Sequence, residues 1–152
     1  MNTEIIPNVF RNIGTTDLRS KIEDLESVML KMEERRIHIE PKHYFCDGFY
    51  AREIMIPKGT TLTGKIHKFE HINIVSKGVI DVLTEGGIER IEAPCTIISQ
   101  PGIKRVGYAH EDTIWTTFHK TEETNPETIE DFICVNTRLQ FEAFMNKSLE
   151  EF

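Results

Sequence analysis

The sequence predicts an all-β protein of the sandwich or barrel type, with one helix before the β region and a short helical tail after it. From Ile37 onward, short runs rich in β-branched and aromatic residues recur along the chain, as is typical of strands. Turn signals that contain glycine or proline separate these runs at regular intervals. Regular spacing of this kind favours a β-sandwich or barrel, and 152 residues suffice for one domain with a core of its own.

The first 36 residues are predicted to form an arm followed by an amphipathic helix. Thr16 and Asp17 are suitable N-cap residues for this helix. An apolar stripe with 4-3-4-3 spacing marks one helical face and consists of Leu18, Ile22, Leu25, Met29 and Met32. The stripe fits a coiled-coil seam between subunits, but it spans barely two heptads. We therefore favour a helix that lies across the outside of the barrel.

Residues 37–120 are predicted to form the barrel, and residues 121–152 a loop and a helical tail. Residues 85–87, Glu-Gly-Gly, lie between two strand-like runs and predict a hairpin turn, because glycine adopts positive φ freely. After His119 the chain becomes polar, and a short helix is expected to begin near Pro126. The last amphipathic run fits either a second helix or a frayed tail.

The composition excludes several classes of function. A net charge of −7 and a pI near 5.4 argue against a nucleic-acid polymer as partner. No apolar run approaches the roughly 20 residues that span a bilayer, so no membrane association is expected. The N-terminus lacks the features of a signal peptide, and three cysteines without a CxxC pair are typical of reduced thiols. We expect a cytoplasmic protein.

The stretch from Pro57 to Gly78 contains the residues with the clearest chemical potential. If residues 65–71 are extended, Lys65, His67, Phe69 and His71 share one face of the strand. Within the same stretch, GTTLTGKI approaches the phosphate-binding loop GxxxxGK[ST]. It lacks the hydroxyl after the lysine and the helix that must follow, so a nucleotide hydrolase is excluded.

This stretch resembles the first motif of the cupin family, which runs Gly, five residues, His-x-His, three or four residues, Glu, six residues, Gly. Counted from Gly59, Lys65 stands at the first histidine, His67 at the second and His71 at the glutamate, while Gly78 matches the closing glycine. Residues 100–109, QPGIKRVGYA, are similar to the second cupin motif, Pro-x-Gly-x-x-His-x-x-x-Asn.

In the second motif Gly102 matches, whereas Gln100, Arg105 and Ala109 replace the proline, histidine and asparagine. The resemblance covers roughly residues 43 to 120 and implies the double-stranded β-helix, or jelly-roll barrel, of cupins, with the motif residues facing inward. The arrangement is also similar to that of small cupins often encoded by tailed phages, which implies a fold more readily than an activity.

The resemblance implies a site for one divalent metal ion (Zn, Fe, Mn or Ni) inside the barrel, with His67 and His71 as the best candidate ligands. Glu70 could supply the missing carboxylate if a bulge shifts the register. His119, which shares a strand face with Trp115 and Thr117, or alternatively His110, could complete a three-histidine site. Cationic residues at two motif positions oppose a metal ion by Coulomb repulsion.

The same substitutions favour a small anionic ligand. Lys65, His67, His71 and Arg105 would form a positive cavity in an acidic protein, and arginine binds carboxylate or phosphate bidentately. Arg52 and Tyr50 would contribute if they occupy the inner face. The alternative interpretation is that Lys65 and Arg105 form ion pairs with the acidic residues Glu53, Asp81 or Glu111.

Three functions remain open from the sequence. The first is an enzyme of the metal-assisted oxygenation, isomerisation or epimerisation type, as the resemblance implies. The second is a non-catalytic protein that sequesters or senses an anionic metabolite or nucleotide. The third is a structural module that uses the barrel as a scaffold, with the N-terminal helix joining the subunits of a homo-oligomer.

Overall fold

A computed structural model describes residues 18–151, so the arm and both predicted N-cap residues lie outside the described part of the chain. The helices are α1 (Leu18–Lys31), a 3-10 turn (Glu33–Arg35), α2 (Ile129–Ile133) and α3 (Arg138–Glu150). A capping box begins α3, because the Thr137 side chain accepts from the amide of Gln140 and the Gln140 side chain accepts from the amide of Thr137. The last amphipathic run is therefore a capped helix.

Eleven strands are found between residues 18 and 151, and most are short, as the spacing of turn signals predicts. They are β1 (Lys42–Cys46), β2 (Phe49–Ile56), β3 (Thr61–Thr63), β4 (Ile66–His67), β5 (His71–Lys77), β6 (Val79–Thr84), β7 (Gly87–Glu92), β8 (Cys95–Ser99), β9 (Val106–Ala109), β10 (Thr113–Lys120) and β11 (Cys134–Val135). The hairpin at residues 85–87 is confirmed, since Thr84 pairs with Gly87 and the latter has a φ of +116°.

Two antiparallel sheets form the body of the protein. One has the strand order β1-β2-β10-β5-β8 and the other β3-β9-β6-β7. The main core cluster takes Ile56 and Val75 from the first sheet and Ile80, Val82 and Ile91 from the second. Two antiparallel sheets that share a core, with helices at both ends of the chain, confirm the predicted all-β jelly-roll fold of cupin type.

Two of the motif glycines occupy positions that only glycine tolerates. Gly78 has a φ of +94°, and a Cβ atom there would lie 2.4 Å from the carbonyl oxygen of Asp112. Gly102 has a φ of +85°, and a Cβ atom there would lie 2.6 Å from the ring of Phe141. Both the left-handed backbone and the close approach favour glycine at these two positions.

Helix α1 lies against the second sheet, as favoured from the sequence. Leu18 and Ile22 are buried and pack with Leu83 and Val106. The N-terminal half of the apolar stripe is thus packed against the barrel. The homo-oligomer expected from the same stripe stays a prediction.

The outer face of the five-stranded sheet carries a continuous apolar row. Strand register places Tyr44, Ala51, Phe118, Ile72 and Ile98 side by side across all five strands. Tyr44, Ile72 and Ile98 are exposed. This sheet face therefore presents a row of apolar side chains to solvent.

The C-terminal segment belongs to the barrel rather than to a separate tail. Strand β11 pairs with β4, so that Cys134 lies opposite His67. Helix α2 contributes Ile129 and Ile133 to a second core cluster with Tyr50. The chain after residue 121 therefore covers the end of the barrel at which His67 lies. No helix in the described residues is long and apolar enough to cross a membrane.

Candidate metal centre and adjoining cavity

A cavity of about 100 Å³ lies between the two sheets. Its polar side chains gather on one part of the wall and its apolar side chains on the other. The polar residues include Arg52, Lys65, His67, His71, Asn73, Arg105 and Thr117, and the apolar residues include Ile54, Ile56, Leu62, Ile80, Val82, Ile103 and Trp115. The predicted inward-facing site is thus a real space inside the barrel.

Three imidazoles meet at the polar end and are called here the inner histidine cluster: His67, His71 and His119. Their ring centroids are 4.2 Å (His67 to His71), 5.0 Å (His67 to His119) and 4.7 Å (His71 to His119) apart. One nitrogen from each ring lies within 4.8 Å of the others. His67 Nδ1 and His119 Nε2 share a hydrogen bond of 2.8 Å. Within residues 18–151 this is the one such group of potential metal ligands.

The chain brings His67 and His71 together by a turn and not by strand alternation. β4 ends at His67, β5 begins at His71, and the residues between them are not extended. Phe69 consequently points away from the cluster and packs on Phe132 and Phe144, with centroids 6.2 and 5.6 Å away. The prediction of one extended strand over residues 65–71 was therefore wrong, although it identified the right histidines.

His119 reaches the cluster through the alternation of β10. Trp115, Thr117 and His119 point inward, as predicted, since side chains two residues apart share a face. His119 is only 2% exposed. The sequence left His119 and His110 as alternatives for the third ligand, and the structure selects His119.

The hydrogen bond of His71 fixes which of its nitrogens is available. Nδ1 lies 2.9 Å from the carbonyl oxygen of Phe69, which can only accept, so Nδ1 carries the proton. Nε2 therefore has a free lone pair, and it is buried without a hydrogen-bond partner. A buried acceptor left unpaired is costly, and this lone pair is available to a ligand.

The imidazoles of the cluster are neutral at physiological pH. Burial, together with the neighbouring His71 and His119, lowers the pKa of His67 to about 2. Burial and the neighbouring His71 lower the pKa of His119 to about 4. The pKa of His71 is also lowered, again mainly by burial. Neutral imidazole is the form that binds metal ions.

The cluster fits a divalent transition-metal ion on three grounds. Three buried imidazoles converge, all are neutral, and one bears an orphaned lone pair. Three histidines are a donor set that suits zinc and other first-row ions and leaves positions open for a small molecule. The residues present are therefore compatible with a bound metal ion, but they do not indicate which element it is.

Glu70 does not join the cluster, and this part of the sequence prediction needs correction. Its side chain is exposed and accepts a hydrogen bond of 2.8 Å from Gln100. It lies in the turn between β4 and β5, just before His71. The bulge that would have turned Glu70 inward is not formed, so the candidate ligands are three imidazoles without a carboxylate.

Lys65 lies at the cavity wall, but its ammonium group pairs with Glu130 of α2 at 3.4 Å. The acidic partners proposed for it from the sequence are used elsewhere. Glu53 pairs with Lys42 at 3.6 Å, and Asp81 pairs with Arg90 at 2.8 Å. The positive charge of Lys65 is thus already compensated by the segment that covers the barrel end.

Neither Arg105 nor Arg52 forms an ion pair within residues 18–151, although the charge of Glu89 acts on Arg105 at longer range. Arg105 donates a hydrogen bond to the hydroxyl of Ser99, and no carboxylate pairs with it in the described part of the chain. Arg52 also lines the cavity, and it has neither a hydrogen bond nor an ion pair with any side chain of residues 18–151. Both guanidinium groups lower the pKa of His67, so both lie within electrostatic reach of the cluster.

A chain of hydrogen bonds holds Arg105 in place, and the sequence did not reveal it. Trp115 Nε1 and Thr117 Oγ1 each donate to Asn73 Oδ1 at 2.9 Å. Asn73 Nδ2 donates to Ser99 Oγ at 2.7 Å, and the same oxygen accepts from Arg105. Alternation from His71 could have placed Asn73 on the inner face, but its partners depend on strand pairing.

Tyr50 lies on the inner face of β2 but outside the cavity. It is fully buried against Ile129 and Ile133, and its hydroxyl shares a hydrogen bond of 2.6 Å with His43 Nδ1. Burial raises its pKa to about 12. The geometry therefore gives Tyr50 a packing role at the covered end, and does not support its predicted contact with a ligand.

No protein-family model matches the sequence, and the search of curated proteins found no match. Among solved structures, the chain is similar to a cupin-2 domain containing protein from Shewanella frigidimarina (10% identity, 62% of this chain and 92% of that chain, TM-score 0.47). It is also similar to KdgF from Halomonas sp. (15%, 59% and 85%, 0.49). A third similar structure is an acetylacetone dioxygenase from Acinetobacter johnsonii (16%, 54% and 59%, 0.46).

Sequence identities this low concern the fold, so the site is argued from its own geometry. The likeness to cupins of tailed phages stays a prediction.

Proposed function

We propose that this protein binds a divalent transition-metal ion at the inner histidine cluster and a small anion in the adjoining cavity. The observation that carries the proposal is the buried, unpartnered Nε2 of His71, which faces no protein donor while two further neutral imidazoles lie beside it. Protein interiors rarely leave such an atom unpaired. A metal ion would use its lone pair.

The cavity residues supply what the metal ion would lack. Arg52 and Arg105 provide two positive charges for an anion, and the apolar part of the wall provides a surface for the rest of the bound molecule. When bound, the ion supplies Lewis-acid polarisation of an oxygen on the bound molecule. In this proposal the chain orients that molecule through Arg52 and Arg105, and the covering segment at residues 126–135 shields the histidine end.

The experiment is a metal analysis of protein purified without a nickel column. Elemental analysis of the native chain, offered zinc, iron, manganese and nickel in turn, should find about one ion per chain for the preferred metal. His67→Ala, His71→Ala and His119→Ala should each lose it. His110→Ala is the matched control and should keep it, because His110 bonds to Asp81 on another part of the surface. Equal metal content in His119→Ala and in the native protein would overturn the proposal.

A second candidate is a metal-free anion-binding protein. It is favoured by the hydrogen bond of 2.8 Å between His67 and His119, which satisfies two of the cluster nitrogens without any ion. This candidate predicts that the native protein takes up no metal while an anion still binds between Arg52 and Arg105. A cobalt(II) titration that gives no visible absorption bands in the native chain would favour this second function.

A further inference from the structure

We propose that the ligand of the cavity is a short-chain carboxylate, held by Arg52 and Arg105 at its charged end and by Ile56, Ile80 and Val82 along its body. The body would have about two to four carbon atoms, given the size of the cavity. This inference rests on the proposed function, because it names the class of the anion. It is nevertheless tested by measurements that do not depend on the metal ion.

The wall of the cavity carries positive charge. Two guanidinium groups line the cavity, whereas no aspartate or glutamate of the described chain does. Imidazole carries no negative charge in either protonation state, so the cavity lining contains no group that offsets the two positive charges. Burial lowers the pKa of Arg105, and the charge of Glu89, outside the cavity lining, opposes this effect. A bound anion would restore the balance, and the guanidinium fork suits carboxylate oxygens.

The polar groups of Asn73 and Trp115, beside the apolar part of the wall, are already largely hydrogen-bonded. Asn73 uses its amide oxygen for Trp115 and Thr117 and one amide hydrogen for Ser99. The indole N–H of Trp115 is likewise taken. A sugar phosphate or a nucleotide would bury several hydroxyls among these occupied groups and the isoleucines, and unpaired buried hydroxyls are costly. The wall therefore favours an anion whose remainder is apolar.

The polarity of the cavity wall changes along the strands. Along the inner face of β2, Arg52 is followed by Ile54 and Ile56, and each step of two residues advances by about 6.7 Å. On the paired strand β10, Thr117 lies opposite Arg52 and Trp115 opposite Ile54. The wall thus changes from polar to apolar along one axis. The ligand must be amphipathic along the same axis, with its charge near the inner histidine cluster.

The volume of the cavity limits the size of the ligand. A dry protein cavity of about 150 Å³ is known to hold a benzene ring, and this cavity measures about 100 Å³. A body of two to four carbons is therefore the amount that fits beside the carboxylate. Nucleotides and sugar phosphates, which the sequence left open, exceed this volume.

The experiment is isothermal titration calorimetry of the full chain with straight-chain acids from acetate to octanoate. Two arms are measured, the protein as purified and protein dialysed against 1,10-phenanthroline, a chelator that has no carboxylate. We expect the Kd to fall about fourfold for each added methylene up to butanoate or pentanoate, and then to rise as the body outgrows the cavity. Butanamide, with the same body and no charge, should bind at least tenfold more weakly than butanoate.

Amino-acid substitutions test the contribution of the arginine charges and that of the cavity shape separately. Arg52→Gln and Arg105→Gln should each weaken butanoate binding at least tenfold, while the matched control Arg90→Gln, in an ion pair outside the cavity, should leave it unchanged. Leu62→Phe fills the apolar part of the wall and should shift the best acid to a shorter chain. Circular dichroism of each variant shows whether it has folded, and Leu62→Phe gives a result even if an arginine variant does not fold.

The inference is overturned if butanamide binds as well as butanoate, if inorganic phosphate, glucose 6-phosphate or AMP binds more tightly, or if none of the acids binds. Carboxylate binding in both arms would show that the anion binds without the metal ion. Carboxylate binding by a native chain that takes up none of the offered metals would refute only the metal part of the proposed function. Full metal content without any carboxylate binding would refute this inference and leave the metal centre standing.

Discussion

Two histidine sites on this barrel contain similar side chains but differ in whether a carboxylate balances the positive charges. In the outer site, His110 Nε2 lies 2.7 Å from Asp81 Oδ2, and Arg90 Nε lies 2.8 Å from Asp81 Oδ1. In the inner histidine cluster, three imidazoles lie near Arg52 and Arg105 with no carboxylate among the described cavity residues. The outer site supplies its own counter-charge, whereas the inner one has none among the described residues that line the cavity.

The comparison shows why one histidine site is structural and the other is a candidate binding site. A paired carboxylate satisfies both the histidine and the arginine at the surface, and such pairs contribute little to stability. The inner cluster leaves a buried lone pair and two buried or half-buried guanidinium groups without protein partners of opposite charge. Unbalanced groups of this kind in a cavity are typical of binding sites.

The largest expected effect is stabilisation by the preferred metal ion. At a free concentration a thousandfold above its Kd, the ion should raise the free energy of unfolding by about 4 kcal/mol. Chemical denaturation of native protein and His110→Ala should show this gain, and His119→Ala should not. A gain of equal size in His119→Ala would show that the two histidine sites do not differ in the way described.

The next effect is the loss of stability of the metal-free protein in mild acid. The pKa of His119 is about 4 in the folded chain against an ordinary 6.5, so below pH 6.5 the unfolded chain binds more protons than the folded chain. Stability is therefore complete above pH 6.5 and falls as the pH drops toward 4, by about 3 kcal/mol for this residue. Urea denaturation at a series of pH values measures the slope.

His119→Gln should reduce this slope between pH 6.5 and 4, because only the contributions of His67 and His71 then remain, and His110→Gln should keep the full slope. The outer site acts in a different range. Hydrogen bonds from Arg90 and His110 lower the pKa of Asp81 from its ordinary 3.8, so its contribution is present above 3.8 and is lost only at lower pH. A slope that disappears in His110→Gln would contradict the assignment.

A third test gives the inner site the carboxylate that the outer site has. Asn73→Asp places a negative charge beside Ser99 and Arg105 without changing the size of the side chain. It should weaken binding of butanoate by about a hundredfold, because like charges brought together in a partly dry cavity repel strongly. Calorimetry measures the change, and unchanged binding would indicate that the anion lies elsewhere.

The smallest effect is expected from the reciprocal change at the outer site. Asp81→Asn removes the ion pair with Arg90 and should cost about 1 kcal/mol of stability. Metal content and butanoate affinity should stay as in the native protein. Thermal denaturation and calorimetry provide the two readouts, and a loss of ligand binding in this variant would mean that the two sites are coupled.

The sequence by itself determined the fold class, the order of the elements and the faces of several strands. Turn glycines, β-branched runs and the apolar stripe of the first helix are local signals, because backbone conformation and side-chain alternation depend on near neighbours. They were enough to put Trp115, Thr117 and His119 on one face. The resemblance to the two cupin motifs implied that His67, His71 and Arg105 face the inside of the barrel.

Only the tertiary structure decided which of these faces meet. His119 joins His67 across 52 residues of sequence, Arg105 is held by Ser99 and Asn73, and a strand at Cys134–Val135 covers the histidine end. The turn at residues 68–70 removed Phe69 and Glu70 from the site, and Glu130 from a distant helix took the charge of Lys65. Such contacts depend on strand pairing over long separations, which local periodicity does not encode.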